Sequence, residues 1–199
     1  MKILAAIFAG LMILSFQFVP SAIKHSYAKT LDNVHIYTVK KGDTFLKIGV
    51  KNGVSELELK QINGKKSDDI HPGEKIIIPK SISNDEKDLL ARLVYAEAKG
   101  EPYDGKVAVA LVVLNRVEDK RFPDTIKDVI YEDKQFQPVD NGSINKPADA
   151  QSKNAVMEAL ALQEQGTKSI YFFNPDKTSD SWLRTKTVTK VIGNHRFAK

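Results

Sequence analysis

The chain has 199 residues and a formal net charge of +5, with four histidines and no cysteine. This length suits one ordinary domain or two small ones. The lack of cysteine excludes disulfides, thiol catalysis and thiolate metal sites. The histidines are scattered and form no H-E-x-x-H pattern, so we expect no metal and no cofactor.

Residues 1–28 have the pattern of a secretory signal peptide. A basic second residue is followed by an apolar run over residues 3–19, and Pro20 breaks that run. Ser26 and Ala28 are small residues at the positions that a signal peptidase reads, so we expect cleavage after Ala28. The alternative is an uncleaved membrane anchor, because the run is only slightly short for a spanning helix. Either reading places the remainder outside the membrane.

Positive charge is concentrated in the first part of the exported region. Residues 29–80 carry ten lysines against seven acidic residues, whereas residues 81–199 carry eighteen basic and eighteen acidic residues. The sequence contains neither a dense basic face nor a nucleic-acid-reading motif, so we expect no nucleic-acid binding. A mildly cationic exported protein suits an anionic cell envelope.

Residues 36–79 predict a small module with the element order β-α-α-β. The β-rich run IYTV precedes the turn KKGDT, in which Asp43 or Thr44 can cap the helix that follows. An Asn-Gly pair ends this helix, and Ser55 with Glu58 forms a capping box for a second one. The turn in HPGEKIIIP then leads into a second strand. Nearly every apolar residue of so short a segment must serve its core.

The segments YTVKKGDT, ELKQING and HPGEKIIIP occur in the order and spacing of a LysM module, and residues 36–79 resemble this peptidoglycan- and chitin-binding family. The chain departs from the usual pattern at Phe45, where Leu is usual, and at Gly49, where Ala is usual. Glycine in a helix costs about 0.5–1 kcal/mol relative to alanine. The resemblance implies a saccharide groove formed by Gly42, Asp43, Thr44, Phe45, Ile70 and His71. Helix capping alone is the simpler role for Asp43 and Thr44, and it is compatible with binding.

A polar linker, residues 80–84, leads into a second module, residues 85–199. Asn84 is expected to cap its first helix. Helical patterns cover residues 85–99, 105–119, 122–131 and about 147–165, and two β-rich runs at residues 169–175 and 187–198 can pair as a small hairpin or flap. We therefore expect an α+β fold, in which a small β-α-α-β module precedes a mainly helical domain with a small β-hairpin.

The first helix of the second module carries a carboxylate on its apolar face. Its apolar residues recur with helical spacing at Leu90, Leu93 and Val94, and the next position on that face is Glu97. Burial there would disfavour the charged form and raise the pKa. A carboxylic acid with a raised pKa at the lip of a cleft can protonate a glycosidic oxygen near neutral pH. The alternative is a structural carboxylate paired with Lys99 or Arg116.

The blocks ARLVYAEAKGEPYDGKVAVALVVLNRV, FPDTIKDVIY, QF, YFFNP and IGNHRFAK follow one another along residues 86–199. On these blocks the segment resembles the bacterial spore cortex-lytic cell-wall hydrolases, a family similar to lysozyme-like lytic transglycosylases. The resemblance implies a catalytic Glu at the end of a helix beside a saccharide cleft, and Glu97 matches that position. Glu101 is the rival carboxylate, but it follows Gly100 in a loop, where we expect it to bond backbone N–H groups of the turn.

The number of acids in the site separates two reaction types. Retaining and inverting glycosidases need two carboxylates flanking the bond, whereas a lytic transglycosylase needs one. Glu101, Asp104 and Asp140 are candidates for a second acid, and no feature of the sequence distinguishes any of them. This agrees with transglycosylation.

Aromatic and amide side chains cluster near the C-terminus, where sugar rings and N-acetyl groups would find partners. The candidate cleft residues are Tyr171, Asn174, Trp182 and His195. Alternatively, the aromatic residues of this strand face the core in alternation, with Tyr171 and Phe173 on one face and Phe172 on the other. His195 is more often a hydrogen-bonded structural residue than a second catalyst.

The leader pattern predicts export, and the two resemblances imply a monomeric enzyme that cuts peptidoglycan glycan strands between N-acetylmuramic acid and N-acetylglucosamine. The resemblance favours a lytic transglycosylase that acts in remodelling of the cell wall or spore cortex. A hydrolytic muramidase or glucosaminidase and a non-catalytic wall-binding protein are the alternatives.

Overall fold

The hydrophobic residues of the computed structural model, which describes residues 35–199, gather in two clusters. The smaller cluster comprises Val39, Phe45, Ile48, Val54, Leu59, Ile76 and Ile78. The larger one is built from helices that follow residue 84 and from Phe197 near the C-terminus. The two clusters lie within one compact unit, residues 35–199. The signal sequence expected at residues 1–28 lies outside the described residues.

The smaller cluster is enclosed by two strands and two helices in the expected order. Strand β1 (His35–Thr38) pairs antiparallel with β2 (Lys75–Ile78), and helices α1 (Phe45–Asn52) and α2 (Glu56–Ile62) lie between them in the chain. The hydroxyl of Thr44 caps α1, and Gly53 ends that helix in the left-handed conformation.

The capping box expected at the start of α2 forms only in part. The Ser55 hydroxyl accepts a hydrogen bond from the backbone N–H of Glu58, as predicted. The Glu58 carboxyl is instead buried, and this burial raises its pKa, with a further contribution from the charge of Glu164. The sequence pattern was therefore right about where the helix begins and wrong about where the Glu58 side chain points.

The larger cluster is built mainly from helices. Helix α3 (Asn84–Glu97) is followed by α4 (Tyr103–Glu118), α5 (Ile126–Tyr131), the short α6 (Gln137–Asp140), a 3₁₀ turn (Ser143–Asn145) and α7 (Ala150–Ala161). Helix α4 is buried on all sides from Gly105 to Arg116, as expected of an apolar helix at the centre of a domain. Helices α3 and α7 pack against it.

Helix α3 begins one residue away from the position that the sequence suggested. Its N-cap is Ser83 rather than Asn84, because Ser83 forms a complete capping box with Glu86. The Ser83 hydroxyl accepts from the backbone N–H of Glu86, and the Glu86 carboxylate accepts from the backbone N–H of Ser83. Asn84 is the first helical residue.

The C-terminal region forms a three-stranded antiparallel sheet with the order β3-β5-β4. The strands are β3 (Tyr171–Phe173), β4 (Val188–Ile192) and β5 (His195–Ala198), and the short helix α8 (Ser181–Arg184) lies between β3 and β4. The two β-rich runs pair, as the sequence suggested. The second run, however, is a hairpin by itself, and the first run joins it as an outer strand. Gly193 and Asn194 form the hairpin turn.

Helix α1 of the smaller cluster packs directly against α7 of the larger one. A Cβ atom added at Gly49 would lie 2.8 Å from the Val54 carbonyl oxygen and 3.2 Å from the Ala161 Cβ atom. The Ser81 hydroxyl donates a hydrogen bond to the Gly53 carbonyl, which ties the linker to the end of α1. The unusual glycine is therefore explained by close approach, because a side chain at Gly49 would not fit between the two elements.

Within residues 35–199, every helix is too short or too polar to cross a membrane.

We expect the substitution Gly49→Ala to lower the free energy of unfolding by about 1–3 kcal/mol, the usual range for overpacking. Helix propensity alone predicts the opposite sign, a gain of about 0.5–1 kcal/mol. Urea unfolding of the chain measures the difference. As a control, Gly49→Ala should be less damaging in an Ala161→Gly background, because the methyl group on the facing helix is then absent. A more stable Gly49→Ala protein would contradict the proposed close approach.

Candidate active site

Glu97 is the last residue of helix α3, and the helix end is held in place by its neighbours. Leu90, Leu93 and Val94 on the same face are fully buried. The buried Lys106 donates a hydrogen bond from Nζ to the Ala98 carbonyl oxygen, 3.0 Å away. A cation is favourable at a helix C-terminus, so this contact fixes the turn that follows Glu97.

The Glu97 carboxyl has no hydrogen-bond or ion-pair partner among residues 35–199. The alternative pairing with Lys99 or Arg116 is therefore not formed. Burial alone raises the pKa of Glu97 to about 7. Its oxygen atoms nevertheless stay in contact with solvent, so an acid that is half protonated near neutral pH is accessible from outside.

The Glu97 side chain lines a cleft with a volume of about 660 Å³. The cleft is lined by the end of α3, the segment around α6, β3, the loop after it and α8. Most of the lining side chains are aromatic, amide or basic, which suits a polar ligand that also has apolar faces.

The four C-terminal residues that were predicted for the cleft all form part of its lining: Tyr171, Asn174, Trp182 and His195. The Trp182 ring is 51% exposed and packs edge-on against Tyr171, with 5.2 Å between ring centroids. Asn174 uses its side-chain oxygen to accept from the backbone N–H of Asp176, which leaves its amide N–H groups available. The exposed indole and the free amide are groups that a saccharide can contact.

The strict alternation expected along β3 is only partly present. Phe173 is buried and Tyr171 is half-buried, yet both line the cleft together with Phe172. Phe172 packs against His195 with 5.3 Å between ring centroids. The strand has only three residues and lies at the edge of its sheet, so all three side chains reach the cleft or its floor.

His195 is a buried residue of the cleft floor. It packs between Phe172 and Phe197, and burial lowers its pKa, with a smaller opposing effect from the charge of Glu101. Its Nδ1 atom is buried and has no hydrogen-bond partner among residues 35–199. The ring is thus neutral near pH 7, and it is held by packing rather than by the side-chain hydrogen bonds expected of a structural histidine.

Glu101 is held by the hairpin turn between β4 and β5. Its carboxylate accepts from the backbone N–H of Asn194 at 2.9 Å and from the Asn194 side-chain amide at 3.0 Å. Burial alone would raise the pKa of Glu101, but these two bonds outweigh burial and lower it. Glu101 does bond a backbone N–H group, as expected, but in the turn that precedes His195 rather than in its own turn.

The candidates for a second acid are absent from the cleft. Glu101, Asp104 and Asp140 do not line it, and Asp180 is the one other lining carboxylate besides Glu97. Asp180 accepts hydrogen bonds from the backbone N–H groups of Trp182 and Leu183, so it caps α8. Glu97 is therefore the single unengaged carboxyl among the residues that line the cleft.

The groove residues expected in the first module divide into two groups. Thr44 and His71 are exposed, and Asp43 uses its carboxylate to accept from the Tyr37 hydroxyl and the Lys40 backbone N–H, which lower its pKa. Phe45 is fully buried in the module's core. The prediction that its side chain lines the groove was therefore wrong, because this small core needs the ring. Ile70 packs on the edge of the same core.

Sequence reasoning missed the cleft residues contributed by α4, by the loop that follows it, and by the segment leading into α6 together with its first residue. These are Arg116, Phe122, Lys134, Gln135, Phe136 and Gln137. Arg116 was considered only as a partner for Glu97. A polar pair, Asn115 and Arg116, near the end of an otherwise apolar helix was the signal available in the sequence. Both residues are buried and bond backbone carbonyls of the segment that leads into β3.

No cluster of three or more His, Asp or Glu side chains that could hold a metal ion occurs in residues 35–199. A desolvated, unpaired carboxyl at the end of a helix, in an aromatic-lined cleft, is typical of enzymes that cleave glycans with a protein acid.

The chain belongs to the cell wall hydrolase family, and a LysM domain precedes the hydrolase region. The LysM family matches residues 37–79 and the Cell Wall Hydrolase family matches residues 100–198. The second match begins three residues after Glu97.

Similar proteins carry the names of spore cortex-lytic enzymes. Such an enzyme from Oceanobacillus iheyensis is 36% identical over 137 residues, which cover 69% of this chain and 50% of the relative. One from Bacillus cereus is 39% identical over 122 residues, covering 61% and 47%. The chain thus spans about half the length of these curated relatives.

The fold is also similar to that of a solved structure, the catalytic domain of the germination-specific lytic transglycosylase SleB from Bacillus anthracis. The TM-score is 0.57 at 38% identity, and the match covers 61% of this chain and the whole of that domain. The mainly helical α+β fold expected for the second module is confirmed by this likeness.

We expect Glu101→Gln to lower the free energy of unfolding above about pH 5 and to have a smaller effect in acid. The lowered pKa of Glu101 means that its ionised form is favoured in the native state, so this stabilisation is lost as pH falls through that pKa. A hydrogen bond to a charged group contributes about 1.5–3 kcal/mol, which sets the upper limit. Urea unfolding at several pH values measures the effect.

The matched variant for this prediction is Gly193→Ala. Its added Cβ atom would contact the Glu101 carboxylate and the backbone would be held at a φ of +55°, so it should disturb the same turn at every pH. If Glu101→Gln has equal effects at pH 4 and pH 7, the bonds to Asn194 are not the source of its contribution.

Proposed function

We propose that this protein is an exported peptidoglycan-degrading enzyme that cleaves the glycan backbone as a lytic transglycosylase. Glu97 acts as the single acid and base, and the LysM module holds the enzyme on the wall. The observation that carries the proposal is the unpaired Glu97 carboxyl, whose pKa burial raises to about 7, in an open aromatic-lined cleft.

The reaction needs one carboxyl that changes its role. Protonated Glu97 donates its proton to the oxygen between N-acetylmuramic acid C1 and the next sugar, and that C1–O bond breaks. The resulting carboxylate takes the proton of the muramic C6 hydroxyl, whose oxygen attacks C1 of the same residue. The product is a 1,6-anhydro ring, no water is consumed, and Glu97 is again protonated.

The surroundings of Glu97 fit both half-reactions. A carboxyl with a pKa near the working pH can both give and accept a proton. The other lining carboxylate, Asp180, is engaged in capping α8, so no second acid is placed to activate water. Trp182 and Tyr171 line the same cleft and offer aromatic surface for sugar rings.

The names of the relatives support the same chemistry. The Bacillus anthracis neighbour is titled a lytic transglycosylase, and the curated relatives are spore cortex-lytic enzymes. A hydrolytic muramidase would give products without anhydro ends, so mass spectrometry of digests separates the two reactions. Parallel digests of spore cortex and vegetative sacculi identify the physiological target.

We expect Glu97→Gln to reduce the rate of peptidoglycan cleavage by at least ~10²–10⁴-fold, the range of general acid–base catalysis. The wild-type rate should fall as pH rises through about 7, because the protonated carboxyl starts the reaction. The measurement is release of soluble glycan from purified sacculi between pH 5 and pH 9. Asp104→Asn is the matched control, since Asp104 is exposed and does not line the cleft.

Stability provides a second readout for the same variant. The pKa of Glu97 is raised from 4.5 to about 7 in the folded chain, so wild-type stability should fall as pH rises between these values, because the unfolded chain loses this proton while the native carboxyl keeps it. Glu97→Gln should remove this fall. A folded Glu97→Gln protein with near-wild-type activity would assign the catalysis to another group.

The wall-binding role is tested on the exposed rim of the LysM module. His71→Ala should reduce sedimentation of the protein with insoluble peptidoglycan without changing cleavage of soluble glycan fragments. His35→Ala is the matched control, because it removes an exposed histidine outside the expected groove. Deleting the whole module is a poorer test, since deletion would uncover the face of α7 that packs on α1. If the wild-type protein, His71→Ala and His35→Ala sediment equally, the saccharide groove expected in the LysM module is rejected.

A further inference from the structure

Arg116 is a buried cation in the wall of the catalytic cleft. Its side chain is only 5% exposed, and burial lowers its pKa. The guanidinium lies near the rings of Phe122, Phe136 and Tyr171, at 4.9, 5.2 and 5.9 Å from their centroids. These aromatic faces offset part of the desolvation of the cation.

The charge of Arg116 has no ion-pair partner in residues 35–199. Glu132 acts on Arg116 through longer-range attraction and lies beyond ion-pair distance. Buried charges are normally paired, because burial of an isolated ion is strongly unfavourable. Glu132, whose carboxylate has a buried oxygen without a hydrogen-bond partner in residues 35–199, supplies part of the compensating charge from a distance, but it makes no direct contact with the Arg116 guanidinium.

The hydrogen bonds of Arg116 leave one nitrogen unused. Nε donates to the Ile170 carbonyl oxygen at 2.8 Å, and Nη1 donates to the Gln135 side-chain oxygen at 3.1 Å. Nη2 has no hydrogen-bond partner in the described part of the chain, yet it keeps contact with solvent. The first two bonds hold the planar group rigidly, so the remaining N–H groups have a fixed position at the cleft.

From this geometry we infer that Nη2 of Arg116 binds a carboxylate of the glycan substrate. Lys134 and Lys177 line the same cleft and add positive charge, whereas Asp180 is the one lining carboxylate besides Glu97. A rigid guanidinium binds carboxylates more strongly than neutral acceptors. The inference rests on the proposed function and names the chemical group that the same cleft selects.

Peptidoglycan offers carboxylates from two sources. The lactyl group of muramic acid is a free carboxylate where the stem peptide has been removed, and an amide where the peptide is attached. The stem peptide carries carboxylates of its own. Both share one chemistry, so the test uses glycans that differ in these groups alone.

The experiment measures binding of short glycans to the Glu97→Gln chain by calorimetry. The three ligands carry stem peptides, free lactyl carboxylates, or lactyl groups converted to the neutral methylamide. We expect at least one anionic glycan to bind tenfold or more tightly than the methylamide. Tighter binding of the peptide-free ligand identifies the lactyl group as the source, and tighter binding of the peptide-bearing ligand identifies the peptide.

Second-site variants then assign this preference to Arg116. Arg116→Gln should bring the affinity ratio close to one, whereas Arg121→Gln should leave it unchanged, since Arg121 is exposed and paired with Asp119. If Arg116→Gln does not fold, the guanidinium NMR signal of Arg116 provides the readout. That signal should move on addition of the anionic glycan and stay in place with the methylamide.

The outcomes separate this inference from the proposed function. Equal binding of all three glycans, or an unchanged ratio in Arg116→Gln, rejects the carboxylate site while the cleft remains a glycan site. If none of the three glycans binds, the proposed function fails together with the inference. A preference that is lost in a Lys134→Gln/Lys177→Gln variant and kept in Arg116→Gln assigns the recognition to the surface lysines and rejects Arg116.

Discussion

The site depends on the burial of one carboxyl at the end of a helix that the core holds in place. Leu90, Leu93 and Val94 fix the face of α3, and the bond from Lys106 to the Ala98 carbonyl fixes its last turn. Glu97 continues the same face, so it is desolvated, and no group in residues 35–199 pairs with its charge. The raised pKa follows from the register of the helix, because a carboxyl one residue away would face a different environment.

Close approach between the LysM module and the catalytic region is a second constraint. Helix α1 lies against α7, and Gly49 is the position where the surfaces leave no space for a side chain. Read as an isolated helix, the module has a weak residue there. In the folded chain the residue is explained by packing, because an added Cβ atom would clash with the Val54 carbonyl of the module itself and crowd Ala161 of α7. The LysM module is therefore packed against the hydrolase region and is not simply tethered to it.

Local patterns in the sequence predicted the helices and strands and the place of Glu97 on a buried helix face, and non-local packing accounts for what they missed. Glu97 was identifiable because helical periodicity is a local property, and Tyr171, Asn174, Trp182 and His195 because aromatic and amide residues cluster near the C-terminus. The side chain of Phe45 was misplaced because a motif shows where a residue lies and not which way its ring points. Arg116 was missed as a cleft residue because its bonds to Ile170 and Gln135 join segments far apart in the chain.

Two ionisable groups with little exposure, Glu97 and Arg116, line the cleft. Each leaves the native state less stable than an apolar residue of similar size would leave it. Glu97 escapes the penalty by taking up a proton, which is the state that its reaction needs. Arg116 keeps its charge, and within residues 35–199 that charge is compensated by aromatic faces, two hydrogen bonds and the more distant Glu132 carboxylate. Binding of an anion offsets the remaining cost of burying the Arg116 charge. The free energy of unfolding lost in the free protein is then partly recovered as binding free energy for an anionic substrate. The apolar helix α4 is buried along most of its length, and its packing stabilises the fold enough to tolerate the burial of Glu97 and Arg116.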